Sequence, residues 1–163
     1  FNHHKKFMEL ANVNFNLAED ASKLDKRLRG LKWITPHYPE NTKYEINLLI
    51  DIKNFLFAIN EEKIIITDYQ FFSSLLDNKF ASPNKWYDGL SIPSKQSKYY
   101  KFHKDFFLKK IKTDKIKYIY FIGKKKHTMN FFHEMTFENG CIVSKNINEL
   151  LTEFNLNQCD EIL

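Results

Sequence analysis

Ile64-Ile65-Ile66 is the stretch on which the fold turns. Three β-branched residues in a row favour a strand. A strand without polar alternation is buried on both faces, as parallel strands flanked by helices are. A second unbroken apolar run, Tyr118 to Ile122, has the same character and ends at Gly123. The two runs predict neighbouring parallel strands, each covered on both sides.

Working outward, the clearest helix is expected from about Thr42 to Asn60. Its apolar stripe is Leu48, Leu49, Ile52, Phe55, Leu56 and Ile59. Thr42 and Glu45 match a capping box, in which a hydroxyl and a carboxylate satisfy reciprocal N–H groups. Asp68 is placed to cap a helix carrying Phe71, Phe72, Leu75 and Leu76. Ser97 is placed to cap another, with Tyr100, Phe107, Leu108 and Ile111 on its inner face. A helix is also expected over Leu17–Leu28, stopped by Gly30. Residues 141–143 read as a short strand, and Asn146 with Glu149 as the start of a last helix bearing Ile147, Leu150, Leu151 and Phe154. That order predicts an α/β fold: a three-layer sandwich with a mainly parallel, Rossmann-like sheet.

The chain has 163 residues and no linker-like or repeated segment, so 1–163 reads as a single α/β domain. It begins at Phe1 rather than at a methionine, which we read as a piece of a longer polypeptide. The longest apolar run, Ile46 to Ile59, is interrupted by Asn47, Asp51, Lys53 and Asn54 and is too short and too polar for a membrane span. The net charge is +5, but only Arg27 and Arg29 among the 25 basic residues are arginines. Guanidinium groups read guanine and phosphate best, so the charge argues weakly for nucleic acid. A basic face toward an anionic membrane surface fits it equally well.

Ligands of parallel sheets sit beyond the carboxyl ends of the strands. There the sequence places Asp68 and Tyr69 after the first strand, and Lys124 and Lys125 after the second. Together they form a candidate rim for a phosphorylated or otherwise anionic small molecule. Asp68 as a helix cap and the lysines as a solvated turn account for the same residues. No glycine-rich phosphate loop is present, and no cofactor is expected. His133 and Glu134 lack the second histidine of a zinc-protease helix, so no metal site is expected. His103, on the stripe with Tyr100 and Phe107, reads as a core histidine. The loop Ser82–Pro93 carries Trp86 and Tyr87; it reads first as a lid that plugs the core, and otherwise as a candidate docking loop for a protein or glycan. Cys141 and Cys159 either form a disulfide or remain buried thiols.

The segments Ile64–Leu76, Ser82–Pro93 and Lys117–Gly123 together resemble the soluble tail of bacterial multi-spanning glycosyltransferases. These are the proteins related to dolichyl-phosphate-mannose–protein mannosyltransferases and aminoarabinose transferases. The resemblance spans roughly residues 40–125 and lies in the order of elements. It implies a non-catalytic accessory domain that engages the acceptor or supports the membrane part. The catalytic carboxylates of that family lie between membrane helices, so no residue here inherits a catalytic role and no activity is expected of this chain alone. The implied partners are the membrane-spanning part of the same polypeptide and a glycan or lipid-linked sugar. The implied location is the periplasmic face of the inner membrane, where a Cys141–Cys159 bridge is permitted. The alternative is a stand-alone α/β enzyme or binding protein using the strand-end rim.

Overall fold

The computed structural model describes residues 10, 13–67, 69, 72–76, 92–123, 142–157 and 159. The chain separates into two compact units, Phe1–Ala58 and Ile59–Leu163.

In the first unit a minimal antiparallel ladder joins β1 (Glu19–Asp20) to β2 (Lys32–Trp33). The helix expected over Leu17–Leu28 is absent. Single 3₁₀ turns stand in the region instead, at Phe15–Leu17, Ala21–Lys23 and Lys26–Leu28. The reason is local competition. Asn14, Asp20 and Asp25 accept hydrogen bonds from the N–H groups of Asn16, Ser22 and Arg27, two residues on. Each such bond holds its acceptor residue extended and starts a fresh turn, which a continuous helix cannot accommodate.

Helix α1 runs Thr42–Phe57 and buries Ile46, Leu48, Leu49, Ile52 and Leu56. The capping box does not form. Asn41 is the cap, its side-chain oxygen accepting from the Tyr44 N–H, and the Thr42 hydroxyl is buried with no hydrogen-bond partner. Glu45 turns away from the helix end and is fully buried. Its carboxylate accepts from Trp33 Nε1–H at 2.9 Å and from Thr35 Oγ1–H at 2.6 Å, pinning α1 to the segment after β2. Lys53 makes a second tie, donating to the Leu24 carbonyl at 2.8 Å. Hydrogen bonds from Arg27 hold the Asp25 carboxyl well below the usual carboxylate range.

The second unit is built on a four-stranded sheet in the order β3-β4-β6-β5. Strands β3 (Lys63–Thr67) and β4 (Tyr118–Ile122) pair in parallel, Ile64 opposite Ile119 and Ile66 opposite Phe121. Ile64–Ile66 and Ile119–Ile122 are buried whichever face they occupy, as the unbroken apolar runs predicted. The short helix α2 (Phe72–Leu75) follows β3. Helix α3 (Tyr100–Thr113) precedes β4. Its Phe107 and Ile111 lie in one apolar cluster with Ile64, Ile66, Ile119, Phe121 and Phe154, so α3 covers that face of the sheet.

A mainly parallel, Rossmann-like three-layer sandwich is not what this sheet makes. β6 (Leu151–Asn155) runs antiparallel to β4, and β5 (Val143–Asn146) antiparallel to β6, leaving β3–β4 as the one parallel pair among the described strands. The expected last helix is half of a β-hairpin. Asn148 Oδ1 accepts from the N–H groups of both Leu150 and Leu151, closing a turn just where helical bonds would have to begin. Beyond it Thr152 and Phe154 face the α3 side, while Glu153 alternates to the other side and accepts from Tyr120 Oη–H at 2.9 Å. The spacing of Ile147, Leu150, Leu151 and Phe154 suits a helix, but the strand period with its turn prevails.

Two stability measurements check this account. Ile119→Ala, in the central strand, is expected to cost about 2–5 kcal/mol by urea denaturation, because Ile119 is wholly buried in the α3 cluster. Glu45→Ala is expected to cost about 1–3 kcal/mol, since it orphans two donors that now share one buried carboxylate. An unchanged midpoint in either variant contradicts the packing described.

Candidate functional site

Helix α3 carries two aromatic stripes on opposite sides, and only one is used by the core. Toward the sheet lie the buried Phe107 and Ile111, with Tyr100 partly buried against the same cluster. His103 is half-buried, and burial pushes its imidazole below its ordinary pKa. On the outer side Phe102 is 75% exposed and Phe106, one turn on, 52% exposed; Tyr99, just before the helix, is 60% exposed. Two phenylalanines this exposed one helical turn apart make a contiguous apolar patch, the kind of surface feature that marks an interaction site.

The patch is framed by cations. Lys98 lies one turn before Phe102, and Lys109 one turn after Phe106 on the same side. Lys101 and Lys112 are exposed along its flank, and Asp105 is the acidic residue of the helix itself. Lys98 Nζ rests 4.9 Å from the centre of the Tyr99 ring, a cation–π arrangement. Lys110 is paired with Asp114 instead. Lysines in the last turn also suit the negative end of the helix dipole. The helix stops where Lys115 takes the left-handed conformation, φ 53°, and the Ile116 N–H returns to the Ile111 carbonyl. Ser97 does not cap α3; its Oγ accepts from the Tyr99 N–H, and the cap residue Tyr99 makes no side-chain capping hydrogen bond.

The residues singled out in the sequence fare differently. Thr67 and Ile122 are register partners, so the carboxyl ends of β3 and β4 do lie side by side. Tyr69, however, is buried there, its N–H donating to Thr67 Oγ1 at 2.9 Å. Asp68, Lys124 and Lys125 lie outside the described residues, as do Trp86, Tyr87 and the pair His133–Glu134. Cys159 is buried and disulfide-bonded, with its N–H donating to the Leu156 carbonyl; Cys141 lies outside the described residues. Among the described residues no three His, Cys, Asp or Glu side chains gather as a metal site, and no helix is long and apolar enough to cross a membrane.

Phe102 and Phe106 were legible as a pair four residues apart, displaced from the Tyr100–Phe107–Ile111 stripe. The inner stripe lies where the sequence placed it, with Phe107 and Ile111 buried and Tyr100 partly buried against them; the exposed pair on the outer side was not singled out from the sequence. The chain matches no protein-family model, no curated protein and no solved structure.

Because Cys159 is held in a disulfide, chain prepared under oxidising conditions and denatured without reductant is expected to resist alkylation at that residue. Quantitative labelling of Cys159 by iodoacetamide, read by peptide mass spectrometry, contradicts it.

Proposed function

We propose that this chain is a non-catalytic docking domain serving a membrane glycosyltransferase, and that the outer face of α3 is its working surface. The observation that carries the docking part is the exposed pair Phe102 and Phe106 within a frame of lysines. Apolar side chains left in water cost solubility and are retained where another surface removes them from it. The glycosyltransferase part rests on the resemblance of Ile64–Leu76, Ser82–Pro93 and Lys117–Gly123 to the soluble tails of those enzymes. In that setting the domain sits at the periplasmic face of the inner membrane, beside the membrane part of its own polypeptide and the lipid-linked sugar. A disulfide-bonded Cys159 fits an oxidising compartment of that kind. The coding sequence upstream of Phe1 is then expected to encode several membrane spans.

The docking part is tested by sedimentation with bacterial inner-membrane vesicles. Wild-type chain is expected in the pellet, and Phe102→Ser/Phe106→Ser largely in the supernatant. Both side chains are exposed, so the variant should keep its folding free energy to within about 1 kcal/mol, two surface changes of about 0.5 each. Equal partitioning of the two proteins, in either fraction, removes the reading.

A further inference from the structure

Resting on that docking reading, we infer that the surface met by α3 is a layer of anionic lipid headgroups: Phe102 and Phe106 enter the interface while Lys98, Lys101, Lys109 and Lys112 lie among the phosphates. The chemistry of the face selects this occupant. Along α3 itself, Lys101, Lys104, Lys109, Lys110 and Lys112 stand against the single acid Asp105. Lys110 is spent on Asp114, whereas Lys98, Lys101, Lys109 and Lys112 are exposed and in no ion pair with a described carboxylate. A concentrated positive charge that the described residues leave without an ion pair suits an anionic partner.

The arrangement of the apolar groups narrows the partner further. Phe102 and Phe106 stand on the outer side of one helix, with Lys109 on the same side and Lys101 and Lys112 along one flank. This is the distribution of a helix lying in a bilayer interface, with rings at the acyl boundary and ammonium groups reaching back to the headgroups. A protein hot spot is more often a ring seated in a pocket within a charge-depleted centre, and here Lys109 stands on the same side as the rings. Single-stranded nucleic acid would use a groove that tracks its backbone and arginine beside the rings, and α3 carries no arginine. At 14 residues α3 is far too short to span a bilayer, so it lies on the surface.

The test uses protein-free vesicles of phosphatidylcholine alone or mixed with phosphatidylglycerol. Wild-type chain is expected to bind the mixed vesicles at least about tenfold more tightly than the neutral ones, with binding lost as salt is raised. Phe102→Ser/Phe106→Ser and, separately, Lys109→Gln/Lys112→Gln are each expected to weaken binding by about tenfold. Both variants change exposed side chains and are expected to keep the wild-type circular dichroism spectrum, which checks that they are folded. A Phe102→Trp probe should be quenched by brominated lipid, which purely electrostatic adsorption would not produce. Sedimentation with inner-membrane vesicles that depends on Phe102 and Phe106, without binding to protein-free lipid, overturns this inference and leaves the docking reading standing. Sedimentation with neither overturns both. Equal binding to neutral vesicles, or tighter binding to a labelled single-stranded oligonucleotide, overturns the choice of anionic lipid.

Discussion

Over Ile64–Ile66 and Ile119–Ile122 strands β3 and β4 are buried on both faces, and their parallel register sets β-branched residues of β3 opposite β-branched and aromatic residues of β4. Parallel neighbours cannot be joined by a tight turn, so the chain must leave the sheet and return by a long crossover. Helix α3 lies on that return, and the Ile64–Ile66–Ile119–Phe121 face is what it covers. Phe107 and Ile111 are drawn inward because they help complete that apolar surface. The opposite stripe of the same helix is thereby turned to water. Exposure of Phe102 and Phe106 is therefore a consequence of how the sheet is buried, since a helix cannot hide two opposed stripes against one layer.

The polar side of the fold is governed by short side chains that compete with the backbone. Asn14, Asp20, Asp25, Asn41 and Asn148 each accept from an N–H two or three residues further on. In this asparagine-rich chain such turns decide where elements begin and end. They break one expected helix into 3₁₀ turns and convert another into a hairpin. Glu45 shows a longer-range version. A carboxylate positioned to cap its own helix accepts instead from Trp33 and Thr35, because burial makes those donors as needy as the helix end.

On the opposite face of the sheet, Tyr120 is buried with its hydroxyl on Glu153, and burial together with that acceptor raises its pKa above the ordinary phenol value. Its hydroxyl donates to Glu153 and so ties β4 to β6. The described titratable groups with displaced pKa values are held by structural partners or by burial in the same way: Asp25 by Arg27, and Lys63 by burial, its ammonium donating to the Ile59 carbonyl. The chemistry gathered on α3 is of another kind, amphipathic and exposed, which suits adhesion to a surface rather than proton transfer.

The sequence by itself determined the pieces whose local pattern admits one solution. Ile64–Ile66 and Tyr118–Ile122 had to be strands buried on both sides. The Leu48–Leu56 stripe had to be a helix, and the tract from Tyr100 to Ile111 had to be another. Only the tertiary structure decided the direction of β5 and β6, because Leu150, Leu151 and Phe154 satisfy a helix period and, in part, a strand period at once. Asn148 closing a turn next to an unsatisfied β4 edge settles it in favour of pairing. The candidate site was half legible for the same reason. The inner stripe and the lysines of α3 are written in its residues, but how far Phe102 and Phe106 stand in water depends on a sheet whose parallel strands β3 and β4 lie far apart in the chain. Burial is a property of the assembled surfaces, and no local window of sequence contains it.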